Sequence, residues 1–123
     1  MNDSRLVTER NIWLATTRPN GKPHLIPIWF CYVQDKFYIC TQDSIKVKNL
    51  RASPRASVAL EDGNRPVLAE GTARFIDRPF PADVVSAFQE KYQWTIERDG
   101  EPPAEDKTYN ILIEITPEKW LKW

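Results

Sequence analysis

The chain has 123 residues, with 17 Lys and Arg balanced by 17 Asp and Glu, so its formal net charge is zero with His neutral. That balance argues against nucleic-acid binding and against a charged membrane-surface segment. A single histidine excludes a His-rich metal site, and no apolar run reaches the ~20 residues of a membrane span.

The length suits one domain over residues 1–123. Asp3 to Arg10 reads as a short helix with Leu6, Val7 and Arg10 as a narrow stripe. Met1 to Arg5 lacks the apolar core of a signal peptide, so a cytoplasmic protein is expected. Ile12 to Thr17 reads as the first strand. Arg18 to Lys22 is a turn, with Pro19 presetting φ and Asn20-Gly21 accepting positive φ. His24–Val33 and Lys36–Thr41 are apolar, β-branched and aromatic runs joined by Gln34-Asp35, a hairpin signal weaker than Asn-Gly.

After Gln42-Asp43-Ser44, residues Ile45 to Ala52 read as a helix whose first turn Asp43 or Ser44 can cap. Lys46 and Lys48 lie at or just after that turn. A helix N-terminus with free N–H groups and a nearby lysine is a ready phosphate site. Capped helices with surface lysines also occur where nothing binds.

Ala56 to Glu61 alternates as a strand, and Val67 to Ile76 is the next. Gly71 in its middle signals a bulge or a close backbone approach. Ala82 to Gln93 reads as a helix with Val84, Phe88 and Tyr92 as a core stripe. Ile96 to Asp106 is polar and reads as a mobile loop. Tyr109 to Ile115 is the last strand, ended by Thr116-Pro117, and the Trp120–Trp123 tail is expected to dock on the body or on a partner subunit. About six short strands with inserted helices fit a small, mostly antiparallel barrel.

Five tryptophans in so short a chain point to an oligomer interface, although Trp13 and Trp29 read as core residues. Cys31 and Cys40 have no CxxC spacing and read as reduced, packed thiols. His24 and Arg65 read as ordinary strand and loop residues. No G-x-S-x-G, Walker or G-x-G-x-x-G pattern is present. Hydrolytic chemistry therefore has little support. Cofactor-borne redox chemistry needs no protein nucleophile, so the same absence does not count against it.

The succession of motifs resembles the pyridoxamine 5′-phosphate oxidase-like superfamily of FMN-binding split β-barrels. The matching text is Leu14-Ala15-Thr16, Asn20–His24, Pro27–Phe30, Phe37–Thr41, Ser44–Leu50, Ser53–Val58, Pro66-Val67 and Glu70–Ala73. It runs in order across roughly three quarters of the chain. The resemblance is to the small subgroup that includes deazaflavin-dependent reductases.

By this resemblance a flavin-type ring would lie on the His24–Trp29 strand, against backbone around Ile26, Pro27 and Ile28. Cys40 and Thr41 would flank it. Lys46 matches the family's phosphate-binding lysine, with Ser44, Lys48 and Asn49 nearby. The chain departs from the true oxidases in three places. It is one residue shorter between Thr41 and Lys46, it has Ile45 where arginine is common, and Pro66 stands near the place of a ring-contacting glutamine. These departures argue against the vitamin oxidase reaction and leave FMN or a deazaflavin open.

The resemblance implies a homodimeric flavin-dependent oxidoreductase that passes hydride to a small molecule. A chain this short can barely enclose a flat cofactor, so a site shared across a dimer is expected on physical grounds too. The alternatives are a non-catalytic flavin store, sensor or haem-handling protein, and a partner-binding barrel without cofactor.

Overall fold

The computed structural model describes residues 1–121. In chain order the elements are α1 (Arg5–Thr8), β1 (Asn11–Thr17), β2 (Pro23–Trp29), β3 (Cys31–Val33), β4 (Lys36–Thr41), α2 (Ile45–Ala52), β5 (Arg55–Leu60), β6 (Leu68–Ile76), α3 (Ala82–Tyr92) and β7 (Ile111–Leu121). All strands pair antiparallel in one sheet of order β2-β1-β5-β6-β7-β4-β3. The two edge strands, β2 and β3, are consecutive in the chain. The sheet must therefore curl until its edges approach each other at Phe30. The result is a mostly β split barrel with short helices, built from seven strands rather than about six.

The additional strand arises at Phe30, which interrupts the single run read from His24 to Val33. β2 follows β1, whereas β3 follows β4 on the other half of the sheet. Phe30 is fully buried, and buried backbone polar groups need partners. The Tyr92 hydroxyl accepts its N–H at 3.0 Å and lies 2.9 Å from its carbonyl oxygen. Lys91 Nζ donates to the same carbonyl at 2.7 Å. The end of α3 thus supplies what the sheet does not.

Gln34 and Asp35 form a two-residue turn with φ of 52° and 62°. This is the left-handed pair that a type I′ hairpin requires, and neither residue favours it as Asn-Gly does. Replacing them with Asn-Gly is expected to raise stability by about 1 kcal/mol. An unchanged urea midpoint would contradict the turn assignment.

The inner face of the sheet buries Ile12, Leu14, Ile39, Val58, Ile113 and Ile115 together with Val47 and Leu50 of α2. α3 packs on the other face of β4, where its stripe of Val84, Phe88 and Tyr92 meets Tyr38, Cys40 and Leu112. An isolated helix of this length is marginal in water. Burial of each large side chain contributes about 1.5–3 kcal/mol, so packing, not propensity, holds α3.

Four readings need correction. The first helix is one turn, Arg5–Thr8, because Glu9 is already extended (φ −69°, ψ 139°) as the chain enters β1. The last strand does not stop at Pro117 but runs to Leu121. Proline cannot donate to a ladder, yet here it stands opposite Gly71, where the β6–β7 register shifts and no donor is needed. Residues Ile96 and Glu97, read as the start of a mobile loop, are tied down. Ile96 is buried, and Glu97 bonds Arg78 at 3.1 Å and the Phe80 N–H at 2.9 Å.

The fourth correction concerns the tryptophans. Trp13 and Trp29 are 37% and 43% exposed, not core. Strand alternation explains it. Ile12, Leu14 and Thr16 take the inner face of β1, which leaves Trp13 outside. Trp13 stands opposite Pro27, and Ala15 opposite Leu25, itself 61% exposed. The outside of β1 and β2 is therefore a contiguous apolar patch. In the tail, Trp120 packs against Tyr32 and Phe37, whereas Lys122 and Trp123 lie outside the described residues. No helix among the described residues is long and apolar enough to cross a membrane.

Candidate functional site

The split in the barrel is set by strand lengths. β3 pairs only with Lys36 to Tyr38 of β4, so Ile39, Cys40 and Thr41 have no strand on that side. β2 is the opposite edge of the sheet. Two open edges, each carrying backbone N–H and C=O groups, thus border one gap. A cleft of about 660 Å³ fills it, within the ~300–1,000 Å³ range of small-molecule sites.

Pro27, Ile28, Cys40, Thr41 and Lys46, five of the residues singled out in the sequence, line this cleft. The others lie outside its lining. Ile26 packs on the core, and Lys48 is exposed. Asn49 is buried and donates to the Thr16 hydroxyl at 3.0 Å. Ser44 is the N-cap of α2 but makes no side-chain cap bond. Its hydroxyl instead accepts from Lys46 Nζ at 3.2 Å. The expected capping is therefore absent at Ser44, and the first turn of α2 keeps its N–H groups free of a side-chain cap.

Lys46 is the notable charge. It is only 8% exposed, and among the described residues no carboxylate pairs with it. Its ammonium spends one bond on Ser44. Burial alone pushes its pKa below the usual lysine range. A buried, unpaired ammonium costs stability unless an anion meets it. Here it stands beside a helix N-terminus that also favours an anion.

The cleft also takes residues that the sequence reading left out. Tyr92, Gln93, Trp94, Asp106 and Tyr109 line it, with Asn11, Trp29 and Gln42. Trp29 stacks on Tyr92, centroids 4.3 Å apart and planes within 7°. Trp94 stands edge-on to Trp29 at 6.0 Å and to Tyr109 at 5.5 Å. Gln93, in the left-handed region at φ 52°, ends α3 and turns the chain into Trp94. Two aromatics two apart at a helix end, Tyr92 and Trp94, are the sequence signal for this wall of the cleft.

Burial raises both thiols, Cys31 to about 11 and Cys40 to about 12. The Cys40 thiol donates to the Tyr109 carbonyl at 3.6 Å. Neither is a nucleophile at neutral pH, because the thiolate is the reactive form. At pH 8 the folded protein should leave both unreacted with a colorimetric thiol reagent, and unfolding in guanidinium should release two. Rapid labelling of Cys40 in the folded protein would contradict the packing described.

Comparison with known proteins places this geometry. The profile of the pyridoxamine 5′-phosphate oxidase family matches residues 4–123. An F420 reductase structure superposes with a TM-score of 0.72 at 22% identity, covering 100% of this chain and 98% of that one. A conserved hypothetical protein from Mycobacterium tuberculosis gives 0.71 at 27% identity, covering 100% and 84%. A haem-storage protein from Vibrio cholerae gives 0.70 at 17% identity, covering 94% and 87%. No curated protein matches the chain.

Proposed function

The chain belongs to the pyridoxamine 5′-phosphate oxidase family, and from that premise we propose that it is a homodimeric oxidoreductase that uses FMN or a deazaflavin to reduce a small molecule. The observation that carries the reading is Lys46, buried at the start of α2 and, among the described residues, without a carboxylate, in the same cleft as two open sheet edges. The residues present fit such a cofactor. Lys46, Ser44 and the first N–H groups of α2 would hold its phosphate. The backbone of Pro27 and Ile28 on one edge and of Cys40 and Thr41 on the other would meet the polar rim of its ring.

A bound flavin or deazaflavin supplies hydride transfer. The protein's part is binding, orientation and exclusion of water. Pro27 and Ile28 give the ring an apolar bed. Tyr92 fixes the chain at the turn out of β2, since its hydroxyl holds both the Arg10 carbonyl, at 2.7 Å, and the Phe30 backbone. Cys40, protonated and packed, contributes shape rather than chemistry. Two unbridged, buried thiols suit a reducing compartment, consistent with a cytoplasmic protein.

The second copy belongs on the apolar patch of Trp13, Leu25, Pro27 and Trp29. Pro27 and Trp29 also line the cleft, so a protomer seated there borders the cofactor. Exposed apolar area of this kind marks an association surface. Trp13→Glu is expected to turn a dimer into a monomer in sedimentation velocity and to weaken cofactor binding. A variant that stays dimeric would move the interface elsewhere.

The absorption spectrum of the purified protein, before and after reconstitution, tests the cofactor. A flavin or deazaflavin band that bleaches with reductant and returns on adding an acceptor supports an oxidoreductase. A band that no acceptor restores favours a store or sensor.

A further inference from the structure

The cleft has two unlike ends. Lys46 and Thr41 mark one. Gln93, Trp94, Asp106 and Tyr109 mark the other, since these four also line an adjoining hollow that neither Lys46 nor Thr41 touches. Among the described residues Lys46 is the sole basic residue of the cleft lining and Asp106 the sole acidic one. The Asp106 carboxylate is oriented by the Thr108 N–H at 2.9 Å, and its backbone is fixed by the Pro103 carbonyl at 3.1 Å.

The aromatic rings at that end have a defined electronic sense, and Trp94, partly exposed, is held edge-on by Phe88 at 5.7 Å. Aromatic faces carry negative quadrupole density, which attracts cations and electron-poor rings. Trp29 and Tyr92 are already stacked, and the Arg10 guanidinium stands 4.7 Å from the Tyr92 centroid and 5.5 Å from that of Trp29. Lys91 Nζ lies 5.3 Å from the Tyr92 centroid as well. A cation would be repelled there. Trp94 and Tyr109 meet edge to face at 86°, with no cation over either ring among the described residues. In the adjoining hollow Arg98 is paired with Glu105, so Asp106, with no ion-pair partner among the described residues, sets the sign of this end.

We infer that Trp94, Tyr109 and Asp106 form the second-ligand subsite, built for a planar heteroaromatic that bears a positive charge or a ring N–H, and set against one that bears a sulfonate or carboxylate. The inference rests on the proposed function, because the cofactor takes the Lys46 end and leaves this end for the molecule it reduces. Trp94 supplies area and Asp106 supplies sign.

The test uses two redox-inert probes of matched size, N-methylquinolinium and naphthalene-2-sulfonate, in equilibrium dialysis against the cofactor-loaded oxidised protein. The cation should bind at least about tenfold tighter than the anion, the scale of a cation–aromatic contact reinforced by a carboxylate. Asp106→Asn should shrink that ratio to about threefold or less while the anion's affinity is unchanged or improved. Trp94→Ala should weaken both probes about tenfold. Cofactor affinity should be unaltered in both variants. Equal affinities in the wild-type protein, or a ratio that survives Asp106→Asn, overturn the subsite with the cofactor reading intact. Failure of the wild-type protein to take up any flavin removes both.

Discussion

Gly71→Ala is expected to lower the unfolding free energy by about 3 kcal/mol or more, the high end for overpacking, because the new group meets backbone rather than a side chain. A Cβ at Gly71 would overlap the Thr116 carbonyl oxygen and sit 3.1 Å from Pro117 Cα. Neither can swing aside. Both belong to β7, which is bonded to β6 through this stretch and to β4 as far as the adjoining Ile115. The close approach is the bulge itself, where the ladder skips from Glu70↔Lys119 to Gly71↔Pro117. Displacing β7 here disturbs the strand that carries Ile113 and Ile115 into the core. Urea denaturation of Gly71→Ala beside Glu70→Ala, at an exposed position of the same strand, separates this crowding from a generic strand effect. Similar small losses in both would contradict the close approach.

Lys46→Met should act in opposite directions on the empty and loaded protein. Without cofactor, the substitution removes a desolvated ammonium that no carboxylate among the described residues meets, so stability should hold or rise. With cofactor, it should weaken binding by about 1.5–3 kcal/mol, roughly 10- to 100-fold. A merely structural lysine would lose stability and leave affinity unchanged. The pH dependence follows from the same burial. The folded-state pKa of Lys46 is depressed, so the folded protein sheds that proton before the unfolded chain does. The destabilising charge is thus present at low pH and is relieved as pH rises through the folded value. Affinity for a phosphate falls over the same alkaline window. In Lys46→Met that fall should disappear.

Much of the fold was legible because strand alternation and turn chemistry are local. Gly71 announced its bulge, and the Val84, Phe88, Tyr92 stripe announced which face α3 buries. The break at Phe30 was not legible, since nothing local distinguishes a strand that changes neighbours from one that continues. Only the approach of Tyr92, 62 positions away, satisfies that backbone. Pro117 misled for a related reason. A proline ends a strand only where its missing N–H is needed, and the register shift that excuses it is a property of the pair. Trp13 and Trp29 read as core because indole is costly in water, yet alternation had already committed the inner face to Ile12 and Leu14.

The site divided the same way. Lys46 was legible from the helix start and from the resemblance, and Pro27, Ile28, Cys40 and Thr41 followed from the strands around it. Lys48 and Asn49 shared its helix but not its direction. One is exposed and the other is spent on Thr16. Asp106 reaches the cleft from a segment whose polarity suggested only a loop, Trp94 from between that segment and α3, and Tyr109 from two residues before β7, where the sequence suggested a strand start. Their placement depends on Ile96 and Glu97 being anchored to the body, a tertiary fact with no sequence period.

The most direct measurement is a calorimetric titration of the apo protein with FMN and with a deazaflavin coenzyme. The account predicts that one of them binds at one molecule per chain, with micromolar or tighter affinity that Lys46→Met reduces at least about tenfold. A well-folded protein that takes up neither would contradict the claim that this cleft is a flavin-type site.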